Sequence, residues 1–214
     1  MRVAAVASRT ARTIAVAGAA VAVLLATSCS SADDEGATAA RAAIATVPEQ
    51  TTTTNPYAVP PVIDAAYVNR VLAGLDAAVG DVVRFVVNNR PGPREIVEHL
   101  KPIYNDTEAA LQLESFHQDS ANNYEGYRNN PGNQVSSVTE LVTGTPNCIF
   151  AHVSRDYEPV VKKPNPDLAD QWMAIVPLDP ARDPSRINPT GWMYIYDGFE
   201  IDHVRPKDPC GASS

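Results

Sequence analysis

The sequence predicts an α+β fold in which N-terminal helices pack on one face of a four-stranded antiparallel sheet. Apolar residues recur at three- and four-residue steps from residue 62 into the 110s, which is the period of an amphipathic helix. After the turn-forming run 129–133 the period becomes two, and four short β-rich segments follow with connections suited to antiparallel pairing. An order in which all helices precede all strands is typical of the α+β class.

Three helices are expected in the first half of the folded part, which begins at Pro60. A proline suits a first helical turn, and a long amphipathic helix follows over 62–89 until the Pro-Gly-Pro break. A short helix occupies 94–100. The spacing of Asn105 and Glu108 is that of a capping box, so it predicts the start of a third helix.

Four strands are expected at 134–143, 148–157, 171–178 and 192–199. In the second and fourth strands, aliphatic residues alternate with aromatic and polar ones, so each strand has two distinct faces. The aliphatic faces are expected to pack on the helices. The opposite face then displays five candidate interface residues, Phe150, His152, Trp192, Tyr194 and Tyr196.

A wide aromatic surface of this kind does not normally stay exposed on a soluble monomer. Aromatic side chains with polar tips are favoured at protein interfaces, which predicts a docked partner or a second copy of the chain. Two alternatives remain open at this level. A tail segment within 200–214, held by Cys210, covers the face, or the strand phase differs from the one assigned.

The N-terminus carries the most specific signal in the chain. Three arginines precede the apolar run 14–25, and three small residues lead directly into Cys29. This pattern resembles the lipobox of bacterial secreted lipoproteins, of the actinobacterial type. The resemblance implies that 1–28 is a signal peptide and that Cys29 takes lipid, including palmitate, at the extracytoplasmic face of the cell membrane. A plain secretory signal and a retained anchor are the alternatives, although the run is shorter than the ~20 residues that span a bilayer.

Residues 29–59 are rich in Ala, Thr and Pro and poor in large apolar groups, which predicts a disordered tether. The run Thr51–Thr54 is either an O-glycosylation site or a plain polar linker. Residues 60–214 then form a single domain.

Within this domain, the segment 124–128 places two tyrosines around a glycine. It is either a binding loop or an aromatic anchor that holds the loop on the core.

The formal charge is −8, and removal of 1–28 with its three arginines brings it to −11. Such an acidic chain is a poor partner for nucleic acid. The two remaining cysteines, Cys148 and Cys210, predict one disulfide in an exported protein, with two buried thiols as the alternative. The histidines show no metal-ligand spacing, so neither a metal nor another cofactor is expected.

The order and size of the elements over 60–206 resemble the NTF2-like (cystatin-like α+β) superfamily. The resemblance implies a curved sheet that wraps the helices and homodimerisation through the outer sheet face. Enzymes of that type place an Asp, Tyr or His in a pocket between helices and sheet, so the candidate pocket residues are Tyr67, Tyr104 and His117. No catalytic residue is assigned, because neither a nucleophile elbow nor a phosphate loop occurs.

These observations together predict a membrane-anchored exported lipoprotein that acts as a non-catalytic binding or accessory module of the cell envelope. Its ligand would be a small apolar molecule or a protein partner. Two alternatives are an NTF2-like enzyme acting on a hydrophobic small molecule and a structural subunit of an envelope transport complex. All three rest on analogy at the level of the fold.

Overall fold

The computed structural model describes residues 55–199 and 205–211, except for the side chain of Phe199. The predicted signal peptide, the lipidation site Cys29, almost all of the predicted tether and the run Thr51–Thr54 lie outside the described residues. The described residues belong to one compact unit. Its main hydrophobic core contains buried residues from Ile63 to Tyr194.

Three helices come first along the described chain: α1 (Ala65–Asn89), α2 (Pro93–Leu100) and α3 (Asp106–Ser120). The start of α1 is later than predicted because the side chain of Asp64 caps it, accepting a hydrogen bond of 2.7 Å from the backbone N–H of Tyr67. None of the described helices combines the length and the apolar character that crossing a membrane requires.

Four strands follow: β1 (Val135–Thr145), β2 (Cys148–Asp156), β3 (Asp170–Pro177) and β4 (Trp192–Phe199). They form one open antiparallel sheet in the order β1-β2-β3-β4. The helices pack on a single face of it, so the predicted α+β class is confirmed for the described residues. Ile149, Ala151 and Val153 of β2 point into the core, as their alternation predicted.

The free edge of β4 is partly closed by the connection between α2 and α3. The backbone N–H of Tyr194 donates to Ile103, and the backbone N–H of Asn105 donates to Tyr194, both at 2.8 Å. Asn105 also caps α3, accepting from the backbone N–H of Glu108 at 2.8 Å. This pairing holds the first turn of α3 against β4, and it removes part of an edge that would otherwise be free to pair.

Candidate functional site

The space between helices and sheet, where a ligand pocket was expected, is filled by side chains. Tyr67 and Trp192 meet edge to face with ring centroids 6.4 Å apart, and the indole N–H of Trp192 donates to the Tyr67 hydroxyl at 2.9 Å. Tyr104 stacks on Tyr194 at 5.3 Å. All four side chains are buried, so the interior is a packed core.

A buried ion pair lies at the centre of this interior. Arg155 of β2 places Nη1 2.7 Å from Oδ1 of Asp197 on β4 and donates to its Oδ2 at 3.0 Å. Their side chains are only 2% and 5% exposed. The same guanidinium donates to Gln171 Oε1 at 2.8 Å and to the Tyr194 hydroxyl at 3.4 Å. These contacts offset part of the cost of removing two charges from water, although Nε of Arg155 has no hydrogen-bond partner among the described residues.

The protonation of this cluster follows from its burial. Burial raises the pKa of Tyr104 and of Tyr194 well above the ordinary value, so both hydroxyls stay neutral. Burial opposes the charge on Arg155, but the neighbouring carboxylate of Asp197 outweighs it and holds the pKa of the guanidinium above its usual range. Asp76 of α1 is also buried, which raises its pKa despite hydrogen bonds from Gln134 and Ser136.

Glu108, in the first turn of α3, is a buried carboxyl close to the ion pair of Arg155 and Asp197. It is 6% exposed, and its Oε2 atom has no hydrogen-bond partner among the described residues. Burial, followed by the nearby Asp197 carboxylate, raises the pKa of Glu108 to about 7, although the backbone N–H of Asp197 donates to it. In the predicted capping box the side chain of Glu108 would bond back to the backbone N–H of Asn105. Instead, the Glu108 side chain contacts β4.

Replacing Glu108 with glutamine is expected to flatten the pH dependence of stability. In the native protein the Glu108 carboxyl keeps its proton up to about pH 7, whereas the unfolded chain releases it near its ordinary pKa of 4.5. The free energy of unfolding therefore falls by about 3 kcal/mol as the pH rises from about 4.5 to about 7, and this fall is absent in Glu108→Gln. Urea unfolding of residues 51–214 at pH 5, 6, 7 and 8 measures the slope of the free energy of unfolding against pH.

Glu114→Gln, on an exposed part of the same helix, is the matched control for that experiment. It should retain the wild-type slope. Equal slopes in Glu108→Gln and wild type would show that Glu108 is not the group that takes up the proton.

The candidate interface residues of the sheet do not all share one face. Phe150, His152 and Tyr196 lie on the outer face, whereas Trp192 and Tyr194 point into the core. The prediction is wrong for Trp192 and Tyr194. The reason is an irregularity in β4, which pairs Tyr194 with Ile175 but Tyr196 with Ala174, so that Ile195 is an extra residue and the alternation shifts.

The outer face is covered by the chain's own C-terminal segment, residues 205–211, which is called the strap below. Phe150 is fully buried and Trp172, which the sequence prediction did not include, is nearly so. The predicted Cys148–Cys210 disulfide is present and fixes the strap to the start of β2. The alternative of an intramolecular cover is therefore the one that the described residues show, and docking of a partner on this face stays a prediction.

The candidate pocket residues are not brought together. Tyr67 and Tyr104 belong to the packed interior, whereas His117 is exposed on α3 and lines a separate groove. Within the described residues, no group of three or more His, Cys, Asp or Glu side chains could hold a metal ion.

That groove is the larger part of a surface cleft between α2 and α3. It has a volume of about 350 Å³ and an apolar floor that includes Ile96, Leu113 and Phe116, with Arg90 at its rim. A second groove of about 270 Å³, lined by Val97, Lys101 and Ala109 among others, adjoins it across Leu113. We refer to the two grooves together as the α2–α3 cleft.

Backbone strain is concentrated at this cleft. Four non-glycine residues among the described ones have a positive φ, and three of them, Arg90, Asn123 and Tyr124, line the larger groove with φ of 51°, 53° and 58°. The guanidinium of Arg90 donates to Asn123 Oδ1 at 3.3 Å. The left-handed conformation is costly for Arg90 and Tyr124, whereas asparagine adopts it more readily, and strained residues of this kind gather at binding and catalytic sites. Residue type alone does not reveal them, although the loop beginning at Tyr124 was singled out by its aromatics.

Comparison with known proteins identifies no relative of this chain. No protein-family model matches it, and neither a curated protein nor a solved structure is significantly similar to it.

Proposed function

We propose that the protein is an exported lipoprotein, anchored through Cys29 at the outer face of the cell membrane, whose NTF2-like domain is a non-catalytic binding module of the cell envelope. The lipobox-like residues before Cys29 support the location. Three helices on one face of an antiparallel sheet support the fold assignment. The packed helix–sheet interior favours binding at the surface over binding inside the domain.

The binding site in this proposal is the α2–α3 cleft, and the single observation that carries it is the backbone strain at Arg90 and Tyr124. Both grooves are open to solvent, which suits the anchor side chain of a protein partner better than a small molecule that needs enclosure. Arg90 has no carboxylate of a described residue within ion-pair distance. The partner segment therefore presents an apolar side chain with a carboxylate beside it.

Site-specific photo-cross-linking in the exported full-length chain tests the site. A cross-linker at Leu113 should yield a discrete protein adduct that Arg90→Glu abolishes and Arg186→Glu retains. Arg186 is the matched control because it is an exposed arginine with a φ of 54° away from the cleft. A cross-linker at the exposed Val135 should give no such adduct. Equal adducts from both positions, or insensitivity to Arg90→Glu, would reject the cleft as the docking site.

Replacement of Cys29 tests the anchor separately. Cys29→Ser removes the only thiol that the lipobox-like pattern offers for lipid attachment, so the protein should move from the membrane fraction to the medium. A protein that stays in the membrane fraction would contradict lipidation at Cys29, while leaving the cleft unaffected.

Removing the backbone strain at Arg90 is expected to increase stability and, at the same time, to abolish binding at the cleft. Arg90 ends α1 in a left-handed conformation that glycine adopts without a steric penalty. Arg90→Gly should therefore raise the free energy of unfolding by about 1 kcal/mol while it abolishes the Leu113 adduct. Arg186→Gly should give a similar gain in urea unfolding and keep the adduct. A loss of stability in Arg90→Gly would show that the position is not strained.

A second candidate function, proton-transfer catalysis on a hydrophobic small molecule, is favoured by Glu108. This carboxyl has a pKa of about 7 beside Asp197, as a general acid or base requires. Native mass spectrometry of the exported protein distinguishes the two functions. A bound small molecule whose retention changes in Glu108→Gln supports catalysis, and a ligand-free mass in both proteins supports the binding module.

A further inference from the structure

The α2–α3 cleft runs along a helical hairpin. Helices α2 and α3 are joined by residues 101–105, a connection of the length that joins antiparallel helices packed side by side. The larger groove is lined by the start of α2 and the end of α3, and the second groove by the end of α2 and the start of α3. The two grooves are therefore successive depressions of one furrow, and Leu113 lies between them.

The spacing of the two grooves indicates which kind of segment fits them. Their linings on α3 are centred near Ala110 and near His117, a distance of about 10 Å along the helix. Side chains on one face of an extended strand lie about 6.6 Å or about 13 Å apart, because they recur at every second residue. Positions i and i+7 of an α-helix lie on one face about 10 Å apart, so a helix places one side chain in each groove.

The side chains of the furrow suit the apolar face of such a helix. Those along its floor are mainly apolar, and they include Ile96, Val97, Ala109, Leu113 and Phe116. Two neighbouring helices leave a groove into which the side chains of a further helix pack. Amphipathic helices that dock in such grooves use anchors at positions i, i+3, i+4 and i+7.

The charges along the furrow indicate the direction in which the helix lies. At the larger groove, Arg90 has no carboxylate of a described residue within ion-pair distance. At the second groove, Lys101 is already paired with Glu98 and Asp106 with Arg182, both at 2.8 Å. A carboxylate of the docked helix therefore gains a new ion pair at the larger groove and not at the second.

We propose that the segment bound by the α2–α3 cleft is an amphipathic α-helix of a protein partner, with apolar anchors at positions i and i+7 and an Asp or Glu beside the anchor in the larger groove. This inference rests on the proposed function, which assigns docking to the cleft. It adds the conformation of the docked segment, the spacing of its anchors and its direction.

Cross-links from the two grooves measure the anchor spacing directly. A short diazirine side chain is placed at Ala110 in one exported full-length protein and at His117 in another, because both positions are exposed and each lines a different groove. Mass spectrometry of the digested adducts locates the linked residues of the partner. They should lie about seven positions apart in one segment, with an Asp or Glu within one turn of the residue linked to His117.

Filling the second groove tests whether one segment occupies both. Ala110→Tyr should reduce the yield of the His117 adduct about tenfold or more, because the docked helix loses one of its two anchors. Leu111→Tyr is the matched control, since Leu111 is 60% exposed on the same helix and lines neither groove. It should leave the adduct unchanged. Urea unfolding checks that both variants are folded.

Three outcomes would overturn this inference while docking at the cleft stands. Linked residues about three positions apart would assign the cleft to an extended segment. A His117 adduct that is insensitive to Ala110→Tyr would show that the larger groove binds alone. Adducts that contain only this chain, as cross-linked dimers, would assign the cleft to a second copy. In contrast, the absence of any adduct from Ala110, Leu113 and His117 would reject the proposed function as well.

Discussion

Replacing Arg155 with methionine is expected to lower the free energy of unfolding by about 3–5 kcal/mol at pH 7. The substitution keeps most of the side-chain volume but leaves the buried carboxylate of Asp197 without its cation. Burial, followed by the nearby Asp197 carboxylate, raises the pKa of Glu108, so a second buried carboxyl lies beside the ion pair. Since small domains are stable by only about 5–15 kcal/mol, one buried carboxylate left without its cation would remove a large part of the margin.

A double substitution distinguishes a lost charge partner from lost packing. Arg155→Met combined with Asp197→Leu removes both charges, so most of the stability should return, because apolar replacements of a whole buried pair are often neutral. Lys101→Met is the control, because Lys101 and Glu98 form a pair of similar length, 2.8 Å, that is exposed; it should change stability little. Urea unfolding measures all four proteins. A double variant as unstable as Arg155→Met would show that packing, and not charge, was lost.

The order and boundaries of the elements could be predicted because each depends on local pattern. The predicted strand 192–199 coincides with β4, and the other three strands differ from prediction by at most two residues at either end. The helical period and the strand period of two arise because the apolar side chains of each element lie on the face that packs on the core. Both periods can therefore be read directly from the sequence. The start of α1 was predicted too early. The prediction relied on the preference of proline for a first helical turn, but the Asp64 cap determines where the first turn begins.

The faces of β4 could not be predicted in the same way. Strict alternation puts Trp192, Tyr194 and Tyr196 together, but one extra residue in the ladder sends Tyr196 to the other face. A bulge depends on how two strands pair, which a single strand's sequence does not contain. The large rings of Trp192 and Tyr194 then fill the interior, where Tyr67 and Arg155 meet their polar atoms.

The ion pair between Arg155 and Asp197 was not predicted, although the position of Arg155 in β2 indicated one of its two members. Arg155 has the same parity in β2 as Ile149, Ala151 and Val153, so the alternation that correctly identified the inner face also placed a charge on it. A charge at such a position requires a buried partner. The partner, Asp197, lies beyond the β4 bulge, and therefore only the three-dimensional pairing reveals it.

The α2–α3 cleft was not predictable at all, except for His117 and the loop that begins at Tyr124. Its distinguishing feature is a left-handed backbone at an arginine, an asparagine and a tyrosine, and neither arginine nor tyrosine is a residue type that indicates such a conformation. The strap over the outer face was one of three alternatives, and the choice between them required the position of Arg205 on Phe150 and Trp172.

Replacing both Cys148 and Cys210 with serine is expected to lower the free energy of unfolding by about 4 kcal/mol. The two cysteines are 62 residues apart, and on the chain-entropy model a closed loop of that length restricts the unfolded chain by roughly this amount. The cross-link also restricts how far the unfolded chain can expand, so the slope of the free energy against urea concentration should increase in the double variant.

Arg205→Ala in the oxidised protein separates the cross-link from the contacts of the strap. It removes the cation from Phe150 and Trp172 but keeps the loop closed, so its cost should stay below about 1 kcal/mol and its urea slope should match the wild type. If the double serine variant loses no more stability than Arg205→Ala, the disulfide contributes through the position of the strap and not through the unfolded state. An unchanged urea slope in the double serine variant would argue in the same direction.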